Sequence, residues 1–196
     1  LSYSKKDIEK KEDKIIVEEP NTFVNLFFDH QVNFIDLEEY VVGVVACEMP
    51  ASFELDALKS LSVAARTFAL YKLENNPNYI MKSDTSDQCY INQITMKKNW
   101  GSNFDKYYNK IKNAVNSTNG EYMTYKDEII IAFYFSISNG YTENCENVFS
   151  QKLSYLQSVD SSWDKKYDYK EKYDEFILST FSALEAQGTS LQISFS

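Results

Sequence analysis

The sequence predicts an α+β fold: a mixed β-sheet core with a central buried helix and flanking helices. An active-site cleft is expected between the end of the first helix and a polar loop. Three observations predict this. Residues 37–47 carry Leu37, Tyr40, Val41, Val44 and Val45 at helical spacing. Residues 55–73 are apolar on most sides, as central helices are. The stretches 15–28, 122–125 and 128–137 are rich in β-branched and aromatic residues, which favour strands.

In chain order, residues 1–14 (LSYSKKDIEKKEDK) are mostly charged and lack apolar periodicity, so they read as a tail or stalk remnant. Residues 15–196 are then expected to form a single domain. Extended segments over 15–28 are broken at Pro20. Asp36 is placed to cap the first helix, while Glu38 and Glu39 complement the positive end of its dipole. Pro50 disfavours α conformation at Met49, so that helix should stop beside Glu48. The second helix carries Leu58, Leu61, Ala65, Phe68 and Ala69 on one face, with Val63, Ala64 and Leu70 elsewhere. It is expected to lie against the sheet. Residues 75–93 are turn-rich, and 104–117 read as an amphipathic helix stopped near Gly120. A hairpin turned at Lys126-Asp127 follows, with 128–137 as its nearly all-apolar, central strand. A polar loop covers 138–147. Beyond about Lys165 the pattern fades to at most a short terminal strand.

Composition excludes several function classes. A chain that is 43% hydrophobic and 15% aromatic, with five Gly and three Pro, is neither collagen-like nor disordered. A net charge of −9 opposes a phosphate backbone, so no nucleic-acid partner is expected. No run approaches the roughly 18 apolar residues that a spanning helix needs. The three cysteines, Cys47, Cys89 and Cys145, exclude a fully paired disulfide framework and leave a single disulfide open. No signal peptide, lipid-attachment motif or sorting signal is visible, and the chain opens at Leu1. An N-terminal address or anchor is therefore expected outside this stretch.

Glu48 is the most informative position. Extending the stripe of Leu37, Val41, Val44 and Val45 places its carboxyl on an apolar face and at a helix C-terminus. Desolvation and the local negative potential both oppose ionisation there, which suits a general acid. The competing reading is a frayed helix end with Glu48 in water. Arg66 lies inside an otherwise apolar helix and needs a carboxylate partner or a polar cleft. A structural ion pair explains it equally well, and a direct contact with Glu48 would weaken the acid reading. Residues 136–144 (SISNGYTEN) pack hydroxyls, an amide and a glycine behind an apolar strand. Such a loop suits a polyhydroxylated ligand, or an ordinary surface turn. Metal chemistry is poorly supported: there is one His, His30, and no Cys-x-x-Cys. Cys89 and Cys145 supply a speculative two-thiolate contribution to a zinc site, against the alternative of two free thiols. No Gly-rich phosphate loop is present.

Three blocks then carry a family resemblance. Residues 37–70 (LEEYVVGVVACEMPASFELDALKSLSVAARTFAL), 83–90 (SDTSDQCY) and 114–149 resemble, in order, the signature of the SpoIID/LytB family of bacterial lytic transglycosylases. Together they hold 78 of the 196 residues, about two-fifths of the chain. The resemblance implies Glu48 of Glu-Met-Pro as catalytic acid/base and Arg66 of Ala-Ala-Arg-Thr as an activity-linked residue. It implies glycan contacts at Gln88, Tyr90, Ser136, Ser138, Gly140, Thr142 and Glu143. Asn139 stands where a Gly is usual and Phe135 where a His is frequent. Ser83 and Asp87 stand where some relatives carry Cys and His, so no cofactor is expected and zinc stays the alternative.

The implied reaction cleaves the β-1,4 bond between N-acetylmuramic acid and N-acetylglucosamine of peptidoglycan without water, leaving a 1,6-anhydro end. The implied setting is forespore engulfment during sporulation, on the extracytoplasmic face of the mother-cell membrane, behind a single-pass anchor. The implied partners are glycan strands denuded of stem peptides, the SpoIIP amidase and the membrane protein SpoIIM. A non-catalytic peptidoglycan-binding scaffold is the alternative. A thiol- or zinc-dependent hydrolase is a third reading.

Overall fold

A computed structural model of the protein describes residues 22–163, apart from Ser136 and Ser150. The expected tail at 1–14, the extended residues before 22 and the expected terminal strand lie outside the described residues.

The described chain opens with a hairpin. Strands β1 (Phe23–Phe28) and β2 (Gln31–Asp36) pair antiparallel, from Phe23 opposite Asp36 to Phe28 opposite Gln31. Their turn residues Asp29 and His30 have φ of 52° and 63°, the left-handed pair that a two-residue type I′ connection demands. Alternation turns Val24 and Leu26 inward, fully buried, and leaves Phe23 and Phe27 exposed. Strand β3 (Ile80–Lys82) joins the other edge of β1 in parallel, giving a mixed three-stranded sheet in the order β2-β1-β3. A parallel neighbour needs a crossover, and two helices supply it.

Helix α1 (Leu37–Glu48) starts where β2 ends. The Asp36 carboxylate accepts from the amides of Glu38 and Glu39 at 2.9 and 3.2 Å, and Met49 turns extended before Pro50. Helix α2 (Leu55–Asn75) follows. The element lying on the sheet is α1, which corrects the expectation that the second helix would cover it. Sheet, α2 and α4 surround α1, so every residue from Tyr40 to Ala46 is buried. The apolar residues of α2 divide between two clusters. Leu58, Leu61, Ala65, Phe68 and Ala69 join the main core with Val24, Leu26, Met81, Val41 and Ile111. Val63 and Ala64 face a smaller one with Met123, Ile130 and Ala132. Two cores on one helix explain its all-round apolar surface.

Helix α3 (Gln93–Trp100) and helix α4 (Phe104–Ser117), joined by a short 3-10 turn, complete the helical layer. The hairpin beyond them is far shorter than the sequence suggests. Strands β4 (Thr124–Tyr125) and β5 (Glu128–Ile129) meet at the expected Lys126-Asp127 turn, but no central strand runs through 137. Residues 130–134 are apolar because both sides are covered. Ile130 and Ala132 enter the small cluster, while Ile131, Phe133 and Tyr134 pack on the large one. The Ile131 amide donates to the Tyr155 hydroxyl at 3.3 Å instead of to a ladder. A single helical turn, α5 (Cys145–Val148), follows.

One glycine is dictated by close approach. The ring of Tyr90 lies on α1 at Gly43, where a Cβ would stand 2.1 Å from Tyr90 Cε2 and 2.9 Å from the Ile91 carbonyl oxygen. A Gly43→Ala variant must therefore displace backbone as well as the ring. It is expected to lose about 1–3 kcal/mol of unfolding free energy, read as a lower urea midpoint.

Candidate active site

Glu48 is the last residue of α1, and its Oε1 accepts a hydrogen bond from the Cys89 amide at 2.8 Å. The Tyr134 hydroxyl donates to the same carboxylate. The residue as a whole is exposed, which corrects the expectation that it is tucked into the apolar stripe. Its carboxyl is nonetheless turned back against the protein. Burial of that group raises its pKa above the usual glutamate range, and the bonds from Cys89 and Tyr134 pull it partly back down. Desolvation is the dominant cause.

A chain of oriented hydrogen bonds stands behind the carboxyl. The Tyr40 hydroxyl donates to Gln88 Oε1 at 3.0 Å, and Gln88 Nε2 donates to the Tyr134 hydroxyl at 3.1 Å. Tyr134, with its oxygen occupied from behind, points its proton at Glu48. Burial pushes the phenols of Tyr40 and Tyr134 well up, so both remain neutral donors. Gln88 is 1% exposed. Its amide is bonded to two tyrosines, so the residue expected at a glycan contact is placed inward, behind the Glu48 carboxyl. Tyr40 and Tyr134 escaped the sequence reading because they sit in apolar runs. The available signal was the phenol itself, since a buried tyrosine hydroxyl must find a partner.

Gln88, Cys89 and Tyr90 arrive on a strap that crosses α1. The Asp87 carboxylate, its side chain 1% exposed, takes hydrogen bonds from Tyr79 at 2.9 Å and the Lys82 amide at 2.9 Å, and pairs with Lys72 at 3.1 Å. Tyr90 is half-buried, stacked on Tyr40 with ring centroids 5.9 Å apart and edge-on to Phe28 at 5.2 Å. Cys47 and Cys89 form a disulfide across a sequence separation of 42 residues. Closing a loop of that length removes about 4 kcal/mol of unfolded-chain freedom in the chain-entropy picture.

That bond overturns the pairing of Cys89 with Cys145 as zinc thiolates. Cys145 is a separate buried thiol at the start of α5, its pKa pushed up by burial. With Cys89 in a disulfide and Asp87 committed to Lys72, the described residues do not fit a zinc ion.

Arg66 is placed elsewhere. Its Nε and Nη2 donate to the two Glu38 oxygens at 2.7 and 2.6 Å, with further bonds to the carbonyls of Glu121 at 3.0 Å and Val115 at 3.2 Å. Glu38 and Glu48 are ten residues apart on α1, about 15 Å along the helix axis. Arg66 therefore joins the start of α1 to the end of α4 as a structural fork, with Glu38 and not Glu48 as its carboxylate partner. Arg66→Lys keeps the charge and loses the fork. It is expected to cost about 3 kcal/mol in urea unfolding; full stability with lost activity would contradict this placement.

The polar loop is also built inward. Ser138 shares a short hydrogen bond with Ser161 and accepts from the Gly140 amide at 3.0 Å. Thr142 Oγ1 accepts from the Val159 amide at 2.8 Å. Ser138, Gly140 and Thr142 are buried and tie this loop to residues 159–161, whereas Glu143 is exposed and accepts from Asn147 at 2.7 Å. Ser136 lies outside the described residues.

The family model described as "SpoIID: Stage II sporulation protein" matches residues 29–125, from the first turn through β4. Stage II sporulation protein D of Bacillus subtilis (strain 168) is 43% identical over 165 residues, 81% of this chain and 47% of the relative. The protein of that name from Bacillus amyloliquefaciens is also 43% identical, over 81% of this chain and 46% of the relative. The amidase enhancer of Bacillus subtilis is 36% identical over 58% of this chain and 14% of its own length. The chain spans about half the length of the sporulation relatives it matches. With a matching family model and two relatives 43% identical over 81% of the chain, the chain belongs to the SpoIID family.

Proposed function

We propose that this chain carries the active site of a peptidoglycan lytic transglycosylase acting in sporulation, at forespore engulfment. The observation that carries the reading is the Glu48 carboxyl, held at the end of α1 with its pKa raised by burial. Among the described residues its hydrogen-bond donors are an amide and a phenol, with no second carboxylate beside it. Glycosidases that use water or an enzyme nucleophile work with two carboxyl groups. A single acid suffices when the substrate supplies the nucleophile at high effective concentration.

Glu48, protonated, gives its proton to the glycosidic oxygen as the bond to the muramoyl anomeric carbon breaks. The muramoyl 6-hydroxyl then closes on that carbon, and the Glu48 carboxylate takes the hydroxyl proton, returning to its starting state. The Cys89 amide and the Tyr134 hydroxyl fix the carboxyl for both transfers. The half-buried Tyr90 and exposed Glu143 remain candidates for the glycan surface. The sporulation relatives support the setting. The name of the amidase enhancer supports an amidase partner, taken here as SpoIIP, with SpoIIM as membrane partner and the extracytoplasmic face as location. Glycan strands stripped of stem peptides are the substrate.

Two measurements test the reading. Glu48→Gln should still sediment with amidase-treated sacculi while release of anhydro-muropeptides falls by a factor of about 10² to 10⁴. Binding without release by the parent protein would favour the scaffold instead. Tyr134→Phe removes a bond that lowers the Glu48 pKa, so that pKa rises further. Activity that needs the protonated acid is lost as pH climbs through that value. The alkaline limb of kcat should therefore move to higher pH in Tyr134→Phe, with a lower maximum.

A further inference from the structure

We propose that the Cys47–Cys89 disulfide is a redox-dependent positioning element for Glu48: closed, it holds the Cys89 amide on the carboxyl, and opened by a dithiol it releases that amide. The inference rests on Glu48 being the acid/base. Cys47 immediately precedes Glu48 on the last turn of α1. Cys89 is itself the donor to Glu48 at 2.8 Å, and the two cysteine Cα atoms lie 5.6 Å apart. The covalent bond and the hydrogen bond thus span one gap between the same two short segments.

The other ties of the strap flank this point. Asp87 anchors it upstream, and the Ile91 amide reaches the Gly43 carbonyl downstream at a long 3.3 Å. Gln88 is held through its side chain and the Tyr90 amide reaches the Ser83 carbonyl at a long 3.4 Å, so the backbone between them is tied to α1 by the Cys89 amide and the disulfide. Both cysteines are half-buried, within reach of a reductant.

The exchange balances. A thiolate of the dithiol attacks one sulfur, a mixed disulfide forms and one cysteine leaves to take a proton. The second thiol of the reagent then attacks the mixed disulfide and frees the other cysteine. Two electrons and two protons pass to the protein, and the reagent departs as its own disulfide. Cys145 stays a buried thiol throughout. Losing the Cys89 amide removes an influence that lowers the Glu48 pKa, and leaves the carboxyl less fixed. A misplacement of about 1 Å at a reacting group costs up to a hundredfold in rate.

The test compares the oxidised protein, the same protein in excess dithiothreitol, the double variant Cys47→Ser/Cys89→Ser, and Cys145→Ser. Cleavage of amidase-treated glycan should fall by about tenfold to a hundredfold in kcat, with KM within about twofold, on reduction and in the double variant. Cys145→Ser should match the parent and keep its response to the dithiol. Independently of turnover, the carboxyl carbon of Glu48 is titrated by NMR and exchange of the Cys89 amide is followed. Reduction should raise the Glu48 midpoint and speed Cys89 exchange, while the amides of Leu26 and Val41 keep their protection. Unchanged titration and exchange would overturn the proposal, as would loss of protection at Leu26 and Val41, which would make the bond a general staple. Cleavage indifferent to reduction refutes the positioning and leaves the lytic reading standing. An oxidised protein that cleaves nothing, yet shows the titration shift, refutes the lytic reading alone.

Discussion

The seating of the 83–91 strap across α1 is the contact on which the site depends. Gly43 removes the one side chain that would hold the strap away, and Tyr90 fills that space between Tyr40 and Phe28. Once seated, the strap brings Gln88 under Tyr134 and the Cys89 amide onto Glu48. Two supports fix the strap and the helix separately. Asp87 ties the strap to Lys72 and to β3, while Arg66 and Glu38 fix the start of α1 against α4. An acid at a helix end would ordinarily sample many rotamers. Here the helix is immobilised at one end and the carboxyl is met by donors at the other.

The polar atoms beneath the site are arranged so that each has a defined partner. Because the carboxylate at the end can only accept, Tyr134 donates to it, Gln88 Nε2 donates to Tyr134, and Tyr40 donates to Gln88 Oε1. Buried polar groups without partners cost about 1–3 kcal/mol each. A satisfied chain makes one arrangement of the core better than its alternatives. A glutamine whose side chain never reaches solvent thus fixes which way a phenol points.

The helices were legible because their signals are local. Asp36, the apolar spacing through Val45 and Pro50 bound α1 almost to the residue, and α4 matches its expected limits. Helix α3 buries Met96 alone, so its periodicity is too faint to see, and β3 has three residues. The 128–137 run misled because apolar character reports covered faces, not ladder hydrogen bonds. At the site, Glu48 and the order of the family blocks could be read from sequence. The destinations of Arg66, Gln88, Ser138 and Thr142 could not. A polar residue in a motif has the same letter whether it faces a ligand or satisfies a neighbour 20 or 50 positions away, and only the packed chain decides which.

The raised pKa of Glu48 also bears on the durability of the fold. In the unfolded chain this carboxyl gives up its proton near the ordinary glutamate value, whereas the native protein holds it to higher pH. Between those two points the folded form binds the extra proton, so each increase in pH tips the balance toward the unfolded chain. The protein thus carries at neutral pH a small standing handicap located at its acid. Evolution or engineering toward heat resistance alone would drift toward a neutral amide at this position, and on the proposed reading the sturdier molecule would no longer cleave.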